Sequence, residues 1–190
     1  MEIKRVLKLA GLALGAVLIA SFALMGFVFF DGMSYTATGS EQLNPTGNVV
    51  GNALVVYDPG ISGASKKVSE EIARNLQSKG YVVDLAGISS SKAKDESGYN
   101  IVVVGGPIYA GTASSSVKSY LNALKSDKKV KIAVFATGSD ADVINNKDSL
   151  LKEVAPLPQN SSLKITAVTK VIDTNEANQK ATEFVNALLK

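Results

Sequence analysis

The sequence predicts an α/β protein, a doubly wound five-stranded parallel sheet preceded by one transmembrane helix. Three observations predict it. Short apolar runs alternate with amphipathic stretches throughout residues 53–190. Those apolar runs are continuous rather than alternating, as strands covered on both faces require. Ahead of them stand 22 uncharged residues, 9–30, rich in Leu, Ala, Val and Phe. At about 1.5 Å per residue, a helix of that length crosses a bilayer core of roughly 30 Å.

Lys4, Arg5 and Lys8 precede the apolar run, Asp31 follows it, and the next cation is Lys66. Cations gather on the cytoplasmic side of a span. Residues 1–8 therefore read as a basic cytoplasmic flank and residues 9–30 as a single-pass anchor in the cell membrane, with the domain extracytoplasmic. A cleaved signal peptide is the alternative, but its apolar stretch usually runs to about 7–15 residues. The flank after Asp31 also offers only a poor small-residue cleavage site. Gly11 and Gly15 have the spacing that lets two membrane helices approach closely, which allows a homodimer through the span. Small residues are common in such spans, so chance is the preferred account of the spacing. Residues 31–52 are rich in Gly, Thr, Ser and Asn and show no period, and they read as a flexible linker.

Beyond the linker the elements follow in order. Residues 53–57 (Ala-Leu-Val-Val-Tyr) form a short β-type run. Residues 65–79 carry Val68, Ile72 and Leu76 on one helical face, with Gly80 as the stop. Residues 81–85 and 101–104 are the second and third strands, the latter running into Gly105-Gly106-Pro107. Residues 114–124 place Val117, Tyr120, Leu121 and Leu124 at helical spacing, with Ser114 as N-cap. Residues 130–135 and 163–172 complete the strands, and residues 175–189 form a last helix with Ala177, Ala181, Phe184, Val185 and Leu188 on one stripe. Strands mostly separated by helices imply a parallel sheet. In such sheets ligands bind beyond the carboxyl ends of the strands, where strand order reverses. The loops after Tyr57, Val104 and Phe135 are thus the candidate site.

Composition narrows the chemistry. The chain has no Cys and no His. That excludes a disulfide framework, a thiol redox centre, a Cys/His metal site and a Ser-His-Asp triad. Setting aside Glu2, Lys4, Arg5 and Lys8 leaves 17 basic and 16 acidic residues, so the pI near 9.0 owes much to the membrane flank and does not imply nucleic-acid binding. No residue stands out as a catalytic acid or base, and no metal is expected.

The first loop, Asp58 to Ser65, runs straight into a helix. Small residues there let backbone amides face a phosphate, to which the helix N-terminus adds partial positive charge, and Ser62 and Ser65 offer hydroxyls. A plain strand-to-helix turn is the alternative. The second loop, Gly105-Gly106-Pro107-Ile108-Tyr109-Ala110-Gly111, presents an aromatic ring on which a planar ligand can stack; a tight turn with a half-buried Tyr is the alternative.

Together with Phe135-Ala136-Thr137-Gly138-Ser139, these loops and the order of elements resemble the flavodoxin family over about residues 53–189. The resemblance implies an FMN-binding electron carrier with a redox partner protein. Ser62, Gly63, Ala64 and Ser65 correspond to the loop that wraps the FMN phosphate, with Ala64 where the family has Asn. Pro107, Ile108, Tyr109, Ala110 and Gly111 correspond to the loop flanking the isoalloxazine ring, and Thr137, Gly138 and Ser139 to the loop on its other side. The third loop continues Asp140-Ala141-Asp142-Val143-Ile144-Asn145, without the aromatic that many members stack there. A flavodoxin-like domain that has lost flavin and serves as a binding or scaffold module is the competing reading, because a fold does not fix a function. An exported domain would also have to acquire FMN outside the cytoplasm.

Overall fold

The computed structural model describes residues 2–33, 37–125, 129–138 and 147–190. Helix α1 covers Glu2–Met33, longer than the apolar run at both ends. Its stretch Lys8–Gly26 is long and apolar enough to cross a membrane, and Leu12, Ile19, Phe22 and Met25 on it are exposed. A helix apolar on every side and covered by no protein is a candidate membrane span.

The domain is built from β1 (Ser40–Leu43), β2 (Gly51–Tyr57), α2 (Ala64–Ser78), β3 (Tyr81–Gly87), β4 (Ile101–Tyr109), β5 (Thr112–Ala113), α3 (Ser115–Ala123), β6 (Lys131–Thr137), α4 (Lys147–Val154), β7 (Ile165–Val171) and α5 (Ala177–Leu189). The sheet order is β1-β3-β2-β4-β6-β7, with β5 paired to β4 alone. Five strands are parallel, as the sequence predicts, and they run in the order β3-β2-β4-β6-β7. Strand order reverses between β3-β2 and β4, so the crevice expected of an open α/β sheet lies beyond the carboxyl ends of β2 and β4.

Alternate residues of the central strands serve opposite cores. Val55, Val103 and Phe135 pack under α2 and α5, against Val68, Ile72, Leu76, Phe184 and Leu188. Leu54, Val56, Val102, Val104 and Val134 face α3 and α4, against Val117, Leu121, Leu150 and Val154. The Phe135 ring occupies the space where Gly105 lacks a side chain; a Cβ there would stand 2.2 Å from it. Close packing in the sheet is therefore one reason for the Gly-Gly-Pro sequence.

The linker departs from expectation. Within residues 31–52, β1 pairs antiparallel with β3 from Ser40↔Ala86 to Leu43↔Val83. Ser-Glu-Gln-Leu has little β propensity of its own, and tertiary contacts hold it. Leu43 packs against the core, and Gln42 Nε2 donates to Asp84 Oδ1 at 3.1 Å. Asp84 also accepts from Tyr99 Oη at 2.6 Å and pairs with Lys92 at 3.1 Å. Burial, and then the Asp84 carboxylate, push the Tyr99 hydroxyl above the ordinary tyrosine range.

Smaller departures have local causes. Helix α4 escapes the sequence because eight residues carry too few apolar positions to show a period. The Ser114 hydroxyl, expected to cap α3, donates instead to Asp58 Oδ2 at 2.8 Å. A 3₁₀ turn at Thr174–Glu176, capped by the Asp173 side chain, precedes α5.

Candidate functional site

The loops after β2, β4 and β6 meet at the carboxyl edge of the sheet. The first is held from beneath by Asp58, which is fully buried. Its Oδ1 accepts from the Gly60 amide at 3.0 Å, and its Oδ2 accepts from the Ser114 and Ser116 hydroxyls. The Asp58 amide donates to the Gly105 carbonyl at 2.9 Å. The Asp58 backbone amide thus ties the loop to β4, and the carboxylate ties it to the start of α3. The carboxylate is a buried charge satisfied by hydrogen bonds, which is the condition for its burial. Sequence reading passed over Asp58; its one signal is an Asp directly after a buried strand and before Pro-Gly, a side chain suited to bond the backbone two residues on.

Gly63, at φ 69°, turns the chain into α2. No atom lies within 4 Å of where its Cβ would stand, so there is open space before the helix. The first amides of α2 have no acceptor within the helix. The Ala64 amide is met by Ser62 Oγ at 3.3 Å, a long contact. Together they form an open, donor-rich turn able to receive an anion.

The second segment is not an open loop. β4 continues as a strand through Pro107, Ile108 and Tyr109, and the chain returns in β5 with Ile108↔Ala113 and Tyr109↔Thr112 paired. Ala110 (φ 50°) and Gly111 (φ 75°) form the hairpin tip, both at positive φ as a type I′ turn requires. Ala is a poor residue there. Ala110→Asn, which creates the favoured Asn-Gly pair, is expected to raise stability by about 0.5–1 kcal/mol, and Ala110→Val to lower it by more than about 1 kcal/mol. Urea midpoints at unchanged slope check both. The hairpin reaches back to the first loop: the Ile61 amide donates to Tyr109 Oη at 3.2 Å, which sets the ring's orientation.

From the third loop, Thr137 Oγ1 and Ser65 Oγ lie 2.7 Å apart, both buried. The Ser65 hydroxyl therefore latches α2 to β6 rather than facing the open turn. Gly138 donates its amide to the Val171 carbonyl at 3.3 Å. The Ser139 position lies outside the described residues.

Between these segments lies a cleft of about 360 Å³, lined by Ile61, Ser62, Ala64, Pro107, Ile108, Tyr109, Thr137, Gly138, Ile172 and Thr174. That volume falls at the lower end of the roughly 300–1,000 Å³ of small-molecule sites. Seven of the twelve sequence-predicted site residues line it. Gly63 and Ser65 shape it from behind, while Ala110 and Gly111 stand at the hairpin tip away from it. Ile61, Ile172 and Thr174 are additions, since nothing in a linear pattern marks an isoleucine that faces a cleft. No charged side chain is among the lining residues that the structure describes, and those walls suit an uncharged planar group and leave anion binding to backbone amides. Two larger cavities, each of about 600 Å³, are separate from this cleft; one lies between α3 and the segment that follows β3, and the other at the amino ends of β4 and β6.

Comparison with known proteins agrees with this architecture. Residues 55–181 match the family profile described as "Flavodoxin domain". No curated protein matches the chain. Among solved structures, oxidised Flavodoxin 2 from Bacillus cereus is similar at 17% identity and TM-score 0.48, over 73% of this chain and 97% of that one. A flavodoxin from the domain Archaea is similar at 14% identity and TM-score 0.45, over 73% and 99%. The rubredoxin oxygen:oxidoreductase of the anaerobe Desulfovibrio gigas is similar at 16% identity and TM-score 0.49, over 75% of this chain and 37% of that one. Likenesses at this level carry no argument of their own. The profile match spans well over half of the chain, and on that match the chain belongs to the flavodoxin family.

Proposed function

We propose that this protein is a membrane-anchored flavodoxin that binds FMN non-covalently and transfers electrons at the membrane surface to a redox partner protein. The observation that carries the reading is the convergence of an open, donor-rich turn and an uncharged cleft at the switch point of a flavodoxin-family sheet. Ser62, Gly63, Ala64 and the first amides of α2 would hold the phosphate. Pro107, Ile108 and Tyr109 would flank the ring on one side, and Thr137 and Gly138 on the other. The flavin, when bound, supplies the redox chemistry, and the protein supplies binding, orientation and electrostatics. Asp58 and the Ser65–Thr137 contact keep the loops in shape, while Ile61, Ile108 and Ile172 exclude water. The basic flank and the apolar α1 support a retained anchor with an extracytoplasmic domain.

Full-length protein in detergent is expected to quench added FMN fluorescence on titration. FMN should be preferred to riboflavin, which lacks the phosphate. A folded domain that gives no spectral change at high protein concentration would exclude the flavin reading and leave a flavodoxin-like binding module.

A further inference from the structure

The chain leaves its membrane helix at the same end of the sheet where the cleft opens. β1 is antiparallel to β3, with Ser40 opposite Ala86 and Leu43 opposite Val83, so the tether enters the domain at the carboxyl edge. It is fixed there before β1 begins. The Gly39 carbonyl accepts from the Gly87 amide at 2.8 Å, and the Ala37 carbonyl accepts from the Ser89 amide at 2.7 Å. Gly87 in turn pairs with Tyr57, the last residue before the first cleft loop. With neighbouring strands about 4.8 Å apart, Ala37 lies on the order of 10 Å from that loop's origin. From residue 30, where the apolar run ends, to Ala37 is seven residues, which span at most about 25 Å.

We propose that this short, docked tether holds the carboxyl edge of the domain against the bilayer that α1 spans, with exposed Ile61 and Ile172 at the cleft rim meeting the lipid surface. Exposure alone does not choose this end, since Val49 and Val50 are exposed near the amino end of β2. The path of the tether chooses it. The partner surface is the interfacial layer of the same membrane; among the described residues the cleft lining carries no charged side chain, and exposed Asp173 stands between Ile172 and Thr174 at the rim, where it would meet the polar headgroups. Any partner of the cleft then approaches within the membrane plane. The inference rests on the anchor part of the proposed function and not on flavin.

The cysteine-free chain allows clean single-site labelling. Ile61→Cys reports the rim, and Ser97→Cys reports the exposed turn before the amino end of β4. Each full-length variant, carrying a small fluorophore, is reconstituted into phosphatidylcholine–phosphatidylglycerol vesicles with nitroxide-headgroup lipid as quencher. Quenching should be several-fold stronger at Ile61 than at Ser97. Lengthening the connection after Met33 by a long Gly/Ser segment should level the two. Equal quenching in the unaltered tether, stronger quenching at Ser97, or a difference that survives the lengthening would overturn the proposal. Protein that fails to float with vesicles would overturn it together with the anchor reading. Absence of FMN binding by the unlabelled protein with its native Ile61, with the quenching pattern intact in the labelled variants, would overturn the flavin reading alone.

Discussion

Glu153→Leu is expected to destabilise the domain by about 3–5 kcal/mol, the scale for removing one partner of a buried ion pair. Lys170 of β7 and Glu153 of α4 pair at 2.8 Å, with side chains 0% and 7% exposed. Removing the carboxylate leaves an ammonium buried between helix and sheet without a counter-charge among the described residues. The pair itself confers little net stability, because desolvating two charges offsets their attraction. Glu153 Oε2 has no hydrogen-bond partner among the described residues, which adds to that cost. Glu153→Leu combined with Lys170→Met should therefore recover most of the loss, and a double-mutant cycle from urea denaturation measures the coupling directly. A single-variant loss below about 1 kcal/mol would mean that Lys170 reaches water or another acceptor once Glu153 is gone. The pair bears on the cleft, since Lys170 Cε lies 3.4 Å from where a Gly138 Cβ would stand.

Gly63→Asp is expected to weaken FMN binding by roughly tens- to a hundredfold while leaving the domain folded. Two effects separate here. A non-glycine residue at φ 69° carries strain of about 1–2 kcal/mol, less for Asp, which tolerates the left-handed region. That strain is present with or without ligand. The second effect is charge: at an effective dielectric of about 20, a carboxylate some 5 Å from a phosphate charge is repelled by roughly 3 kcal/mol, reduced by solvent at this open position. No protein atom crowds the position, so the substitution meets no steric obstacle within the domain itself. Gly63→Ala is the control: it introduces the strain and no charge, and it should lower stability with little effect on affinity. Fluorescence titrations at low and high salt should show the Asp defect shrinking with salt and the Ala variant unmoved. Equal affinities for the two variants would place the phosphate elsewhere.

What the sequence determined by itself is whatever a short window encodes. The central strands β2, β4 and β6 announce themselves as continuous apolar runs, because burial on both faces leaves no polar positions in their cores, whereas β3 admits Asp84 and the edge strand β7 admits Thr166, Thr169 and Lys170. Helices α2, α3 and α5 show their apolar stripes, and α1 its length without charge. The three loops followed from topology alone, since a parallel sheet puts its crevice at the carboxyl ends. What the tertiary structure decided are the states set by partners distant in sequence. β1 is a strand because β3 and Asp84 lie alongside it, which turns an expected flexible linker into a docked tether. Tyr109 ends a strand and braces the first loop because Ile61 presents an amide to its hydroxyl. Ser65 reads as a phosphate ligand in sequence, yet its hydroxyl meets Thr137, 72 residues away. Asp58, an ordinary turn residue in the linear chain, is a buried carboxylate only because Ser114 and Ser116 converge on it. Local pattern encodes which face of an element is apolar. The partner that each polar group finds depends on contacts closed over long stretches of chain, and those contacts shape this cleft and set the end of the sheet at which the chain from α1 enters the domain.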